Sequence, residues 1–237
     1  MKAVLFDVDD TLYDQVAPFE CAYKTVFGET YDISCQELFI ASRKHSDTVF
    51  EKSQNNEISM RDMYIFRISN AFKDFGIEIT EEQALEFQEL YSFGQNKIVV
   101  TEPIKKMLCF LKQNSIQLGV ITNGPSEHQR NKIKNLNLGE WIDDEYIFVS
   151  GDHSIAKPDI RIFEKAEGVL KLNKDEIWYV GDSFSNDIVG AKQAGWNCIW
   201  FNRRKHEQPE MNIKPDYIVE EEDSLYHLFE CLLKRHA

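Results

Sequence analysis

The chain has 237 residues, with 27 Lys plus Arg against 40 Asp plus Glu, a formal net charge of −13. That balance argues against a nucleic-acid binder, which normally carries a basic face, and against docking on an anionic membrane. A hydrophobic content of 43% with only 11 Gly and 6 Pro supports a real core and excludes a disordered or fibrous chain.

Apolar runs such as Ala3 to Phe6 fall far short of the roughly 18 residues a membrane span needs. Asp7, Asp9, Asp10, Asp14 and Glu20 speak against a secretory signal. Cys21, Cys35, Cys109, Cys198 and Cys231 are an odd, widely spaced set without a CxxC pair. They read as reduced thiols of a cytoplasmic protein, mostly core fillers.

Residues 2–7 form a short β-rich run that ends in an acidic loop. Residues 15–97 then read as helix after helix. Tyr23, Val26 and Phe27 recur at helical spacing. Ser34 with Glu37 has the pattern of a capping box, ahead of a helix containing Leu38, Phe39, Ala41 and Phe50. Ser59 opens another helix, which Gly76 stops, and Thr80 with Gln83 opens a third that runs toward Gly94.

From residue 98 the rhythm becomes strand, helix, strand. Strands are expected at Ile116–Ile121, Tyr146–Val149, Ile177–Val180, Cys198–Phe201 and Tyr217–Val219. Helices are expected at Ser126–Leu136, from Pro158 onward, at Ser185–Ala194 and at the end of the chain, where Glu220 to Asp223 read as a solvated helix start. Alternation of short apolar strands with helices predicts an α/β fold, a doubly wound parallel sheet covered on both faces. Since residues 2–7 look like a buried strand of the same sheet, the helical block reads as an insertion. The division is 1–14 with 98–237 as an α/β core and 15–97 as an all-helical domain.

Ligands of open parallel sheets bind beyond the carboxyl ends of the strands. Four polar clusters fall just past an apolar run or the loop after it: Asp7-Val-Asp9-Asp-Thr11, Thr122-Asn-Gly124, Ala156-Lys-Pro-Asp159 and Gly181 to Asp187. Parallel strands would bring Asp7, Asp9, Asp182 and Asp187 to one edge with Lys157 and Thr122. Clustered carboxylates repel and need a counter-charge, which a hard divalent cation such as Mg2+ supplies. Once bound it makes a phosphate welcome in an acidic protein. Lys157 and the free amides of the Thr122-Asn-Gly124 turn can hold phosphate oxygens. Asp7 can attack phosphorus while Asp9 moves the proton of the leaving oxygen.

Asp7-Val-Asp9-Asp10-Thr11-Leu12 resembles the DxDxT signature of the haloacid dehalogenase superfamily, chiefly phosphatases. Thr122, Lys157 and Gly181-Asp182-Ser183 through Asn186-Asp187 resemble its second, third and fourth motifs, in order. The resemblance implies a Rossmann-like core, with the insertion as the family's helical C1 cap closing over it. It implies Asp7 as nucleophile, Asp9 as general acid/base, and phosphate contacts from Thr122, Asn123 and Lys157. It also implies Mg2+ held by Asp7, Asp182 and the Asp9 carbonyl with support from Asp187; Asn186 reads equally as a helix cap. The segment Trp200-Phe-Asn-Arg-Arg through Pro215-Asp-Tyr217 looks like bacterial nucleotidases of the superfamily.

The expected activity is therefore a Mg2+-dependent phosphatase of a small phosphorylated metabolite, such as a nucleoside 5′-monophosphate, in a monomer or homodimer. Sugar-phosphate hydrolysis, a phosphomutase and a non-catalytic phospholigand-binding module are the alternatives. A dehalogenase is disfavoured because that branch lacks an aspartate at the position of Asp9. His45, His128, His153, His206, His227 and His236 read as surface residues. Trp196, Trp200 and Phe201 read as core, and Phe19, Tyr23, Phe50 and Tyr64 as helix-face packing.

Overall fold

Strand β1, Ala3–Phe6, is buried on both faces, as the central strand of a parallel sheet must be. The computed structural model describes residues 1–55 and 57–234, without the side chains of Phe50, Glu51 and Gln54. The expectations for the Phe50 side chain and for His236 lie outside the described residues.

After β1 the chain forms α1 (Val16–Phe27), α2 (Cys35–Gln54), α3 (Met60–Asp74) and α4 (Glu81–Gln95). It continues through α5 (Glu102–Gln113), β2 (Gln117–Thr122), α6 (Ser126–Asn135), β3 (Ile147–Val149), α7 (Ser150–His153) and α8 (Ile160–Leu170). Then come β4 (Ile177–Gly181), α9 (Val189–Ala194), β5 (Asn197–Phe201), β6 (Tyr217–Val219) and α10 (Glu222–Lys234).

These elements divide into two compact units, Met1–Asp14 with Val99–Ala237, and Gln15–Ile98. In the first, six strands form one sheet in the order β3-β2-β1-β4-β5-β6, and every pair is parallel. Strand order thus reverses at β1, the switch point at whose carboxyl end doubly wound sheets bind ligands. Leu5, Ile121, Phe163, Tyr179, Trp196 and Trp200 share one buried cluster of this unit. Trp196 meets Phe163 edge to face at 5.4 Å.

The second unit is helical and its core is aromatic. Phe19 lies 4.8 Å from Phe87 and Phe27 lies 4.7 Å from Phe72 in tilted and edge-on pairs, geometries that aromatic quadrupoles favour. Thr80 and Gln83 form a complete capping box on α4, and Ser59 caps α3 by accepting from the Asp62 amide. Ser34 accepts from Glu37 N–H at 3.4 Å. Tyr64, expected as packing, is only partly buried and carries the Arg67 guanidinium over its ring.

The structure corrects several local expectations. Helix α8 starts at Ile160 rather than at Pro158, because Asp159 has a non-helical backbone and caps it by accepting from Arg161 N–H. The segment after β4 opens as a wide π-type turn, Phe184–Ile188, before α9. Its cap is Ser183, which accepts from the Asn186 amide, and not Asn186. At the start of α10, Glu222 is not simply solvated: it pairs with Arg203 at 2.6 Å and accepts from the Thr101 hydroxyl at 2.6 Å. His45 and His153 are partly buried rather than exposed, and the cysteines are not mostly core fillers: Cys198 is buried, but Cys21 and Cys231 are exposed.

Candidate active site

Asp7 is the first residue past β1, and its N–H donates to the Val180 carbonyl at 2.9 Å, extending the β1–β4 ladder by one step. That bond seats the Asp7 side chain beside the end of β4. Asp182 follows β4 directly, and its carbonyl accepts from the Trp200 indole at 2.7 Å. Asp187 comes from the wide turn. The Ser183 N–H donates to its Oδ2 at 2.9 Å.

Asp7, Asp182 and Asp187 each present a carboxylate oxygen, and these atoms all lie within 4.8 Å of one another. Gly181 makes the gathering possible, since a Cβ there would sit 2.3 Å from Asp187 Oδ2. Three carboxylates this close repel. Burial pushes the Asp7 carboxyl up to about 7, opposed by the Lys157 ammonium and reinforced by Asp187 and Asp9. Burial, with repulsion from Asp10 and Asp187, pushes Asp182 well above the carboxylate range. An all-oxygen, charge-rich donor set of this kind fits a hard divalent cation.

Lys157 supplies the counter-charge that the chain itself provides. Its Nζ donates to Asp7 Oδ1 at 2.7 Å, to Asp187 Oδ1 at 2.6 Å and to the Tyr179 hydroxyl at 2.8 Å. Burial works against the ammonium, but Asp187 and Asp7 outweigh it and hold its pKa above the ordinary lysine range. The main chain of Lys157 is clamped by Asn123. The Asn123 Nδ2 donates to the Lys157 carbonyl, and its Oδ1 accepts from the Lys157 N–H, both at 2.9 Å. The peptide between Lys157 and Pro158 is cis.

Thr122 ends β2 with its Oγ1 buried and without a hydrogen-bond partner. Buried hydroxyls are normally paired, so this one is available to donate to a ligand acceptor. One of the expected free amides of the turn is taken. The Gly124 N–H donates to Ser150 Oγ at 2.9 Å, and the Asn123 side chain is spent on Lys157.

Asp9 is not part of the carboxylate triad. Its Oδ1 accepts from the Tyr13 hydroxyl at 2.5 Å and its Oδ2 from Gln129 Nε2 at 3.1 Å. Lys132 Nζ donates to both oxygens, at 2.7 and 2.6 Å. Burial raises the Asp9 pKa, but Lys132, Tyr13 and Gln129 together carry it well below the usual carboxylate range.

The sequence reading missed Lys132, Gln129, Tyr13 and Tyr179. The first two lie three residues apart on α6 and are buried although that helix is mostly polar, so no signal in the sequence marked them. It missed Arg204 as well. Arg204 forks onto Asp10 and also pairs with Asp14, while Arg203 pairs with Asp14 and Glu222. The Arg203-Arg204 pair of the late segment is thus bound to acids of the chain itself. Among the described residues no helix is long and apolar enough to cross a membrane.

The chain is similar to known proteins along most of its length. Pyrimidine 5′-nucleotidase PynA of Streptococcus pneumoniae is 25% identical over 98% of this chain and 95% of its own. Glyceraldehyde 3-phosphate phosphatase of Methanopyrus kandleri is 27% identical over 89% of this chain and 88% of its own. Among solved structures, HAD-hydrolase YfnB of Bacillus subtilis bound to magnesium superposes with a TM-score of 0.69 at 23% identity, covering 96% of this chain and 97% of that one. The L-2-haloacid dehalogenase RSc1362 gives 0.74 at 16% identity, covering 97% and 99%. These two show the shared fold. The sequence profile of the haloacid dehalogenase-like hydrolases matches residues 4–201, and the chain belongs to that family.

Proposed function

We propose that the protein is a Mg2+-dependent phosphomonoester hydrolase that works through an aspartyl-phosphate on Asp7. The observation that carries this reading is the triad of Asp7, Asp182 and Asp187, with Asp7 and Asp187 buried and paired to Lys157 and Asp182 partly buried, together with the unpartnered Thr122 hydroxyl. The divalent ion would be held by Asp7, Asp182 and Asp187 with the Asp9 carbonyl, and when bound it offsets the negative charge of carboxylates and phosphate.

The residues of the chain divide the rest. Lys157 fixes one oxygen of Asp7 and places a positive charge where the phosphoryl group arrives. Thr122 donates its hydroxyl to a phosphoryl oxygen. The Asp7 carboxylate attacks phosphorus, the ester P–O bond breaks, and the leaving oxygen takes a proton from Asp9. Asp9 then takes a proton from the water that attacks the phosphorus of the acyl phosphate, which frees inorganic phosphate and restores Asp7. Lys132 and Tyr13 keep Asp9 charged in the absence of substrate. A phosphoryl group seated nearby raises its proton affinity again, because like charges favour the neutral form, and the proton Asp9 gives to the leaving oxygen is taken up from solvent or from a monoanionic ester as substrate binds.

The substrate class is a small phosphorylated metabolite. Nucleoside 5′-monophosphates are the preferred members, on the likeness to a pyrimidine nucleotidase along nearly the whole chain. Triose and other sugar phosphates are the second reading, favoured by the relative named a glyceraldehyde 3-phosphate phosphatase. Phosphate release from a panel of both classes, with Mg2+ and after chelation, is the test. Mg2+-dependent release from a nucleotide supports the first reading. Release from sugar phosphates alone supports the second, and no release from any ester in Mg2+ overturns both.

A further inference from the structure

We propose that Lys132 is a positioning residue that, with Gln129 and Tyr13, holds the Asp9 carboxylate in the orientation from which it serves the leaving oxygen. This rests on the reading above, in which Asp9 moves that proton.

The geometry is unusual for a surface helix. Helix α6 is polar along most of its length, yet Lys132 is buried, its side chain 6% exposed. A lysine is almost never buried unless paired, and here both carboxylate oxygens of Asp9 receive its Nζ. Gln129, one turn earlier, donates to Asp9 Oδ2 at 3.1 Å and to the Asn123 carbonyl at 3.0 Å. One amide group thereby ties the Asp9 carboxylate to the turn that carries Thr122 and clamps Lys157. Gly124 leaves room for it: a Cβ there would lie 2.8 Å from Gln129 Nε2. Tyr13 completes the set through Asp9 Oδ1.

Asp9 sits in a loop, next to Asp10 in the left-handed region at φ 60°. A loop carboxylate left to itself samples several rotamers, and displacement of a reacting group by about 1 Å costs roughly 100-fold in rate. Four contacts from three side chains remove that freedom. A plain structural role, in which the pair only pins α6 to the loop, would leave the chemistry of a folded variant unaltered.

The test compares Lys132→Met, Lys132→Arg, Asp9→Asn and the Asp9→Asn/Lys132→Met double variant, in saturating Mg2+. Each is assayed on an alkyl phosphate, whose leaving oxygen needs a proton, and on a nitrophenyl phosphate, whose leaving oxygen does not. Lys132→Met is expected to slow the first step, read as the burst of released alcohol or nitrophenol, by about 100-fold on the alkyl ester and by only a few-fold on the aryl ester, with KM little changed, while the second step, in which Asp9 takes a proton from water, slows alike for both. Added to Asp9→Asn it should cost nothing further, and Lys132→Arg should restore part of the rate. A crystal structure of Lys132→Met should show the Asp9 side chain turned from its present orientation.

Equal losses on both esters in the first step, or losses that multiply in the double variant, overturn the assignment while leaving the hydrolase reading intact. A wild-type protein inert toward every ester overturns that reading and the assignment with it. If Lys132→Met does not fold, Gln129→Leu takes its place. It removes no charge and should show a smaller loss with the same preference for the alkyl ester; no such preference counts against the proposal.

Discussion

Lys157 Nζ lies 2.7 Å from Asp7 Oδ1, a contact between residues 150 positions apart in sequence, and both side chains are buried. The same ammonium serves Asp187 at 2.6 Å. Removing one partner of a buried ion pair strands the other charge and costs about 3–5 kcal/mol. Lys157→Met should therefore lower the thermal midpoint of the metal-free protein sharply and abolish phosphate release. Part of the lost stability should return on adding Mg2+, which replaces the missing positive charge. Melting curves with and without the ion check this. A Lys157→Met protein as stable as the wild type in chelator would remove Lys157 from its counter-ion role.

On the proposed reading, the carboxylate triad makes stability and Mg2+ binding depend on pH in a defined direction. Burial pushes the Asp7 carboxyl from an ordinary 3.8 up to about 7. Between those values the folded, metal-free protein keeps a proton that the unfolded chain releases. The stability contributed by this group is complete below 3.8 and is lost as pH rises through about 7. Chelated protein should thus lose thermal stability on going from about pH 5 to about pH 8 through this group. A cation binds the ionised form, so Mg2+ should raise the midpoint more at the higher pH. Melts in EDTA and in Mg2+ at both values decide it, and an equal shift at the two would contradict the raised Asp7.

Thr122→Val gives a sharper separation of binding from folding. The Thr122 hydroxyl is buried without a partner, so replacing it with a methyl group breaks no bond within the described residues and relieves an unsatisfied group. Stability should hold or rise by as much as ~1 kcal/mol. A hydrogen bond to a charged phosphoryl oxygen is worth ~1.5–3 kcal/mol, so kcat/KM should fall about 10- to 100-fold. Steady-state kinetics beside a denaturant titration measure both. A fall in stability with unchanged kcat/KM would reverse the assignment.

What could be read from sequence, and what could not, follows from where the physical cause lies. The strands around the site are continuous apolar runs because a parallel sheet is covered on both faces, so Ala3–Phe6 and Ile177–Val180 stand out. Asp7 and Asp182 lie one residue past strands for the same reason, and their position is legible. Gln129 and Lys132 are different. On a helix of charged and amide residues they look like solvated side chains, and only packing against a loop some 120 residues earlier buries them. Tyr179 reads as a strand aromatic, and nothing local shows its hydroxyl beneath Lys157. Pro158 pointed to a helix start, but the Asp159 carboxylate, one residue on, is the better acceptor for a first-turn amide.

Gly181 joins the fold to the carboxylate triad through space rather than chemistry. A Cβ at this position would meet Asp187 Oδ2 at 2.3 Å and Asp187 Cβ at 2.6 Å, so the neighbour must move. Gly181→Ala should displace Asp187 from Asp7 and Lys157 and weaken Mg2+ binding by about 10- to 100-fold, the range seen when groups supporting a metal are disturbed. Calorimetric titration of the ion measures it. Unchanged affinity would show that Asp187 takes no part in holding the cation.

The Arg203-Arg204 pair belongs to the segment that looks like nucleotidases, yet its geometry is that of a structural clamp. Arg204 Nε donates to Asp10 Oδ2 at 2.8 Å while its NH2 reaches Asp10 Oδ1, with both side chains almost fully buried. Asp10 is in the left-handed region at φ 60°, a conformation that needs support from its surroundings. Arg204→Met should cost about 3–5 kcal/mol of stability, because Asp10 is left charged and buried. Arg204→Lys should recover only part, since an ammonium cannot reproduce the fork. The Asp10→Asn/Arg204→Met double variant should lose less than the sum of the singles, as contacting partners do. If the pair is structural, KM for a nucleoside monophosphate, measured below the melting range, stays at the wild-type value in Arg204→Lys. A large rise in KM with stability intact would instead place Arg204 against the substrate.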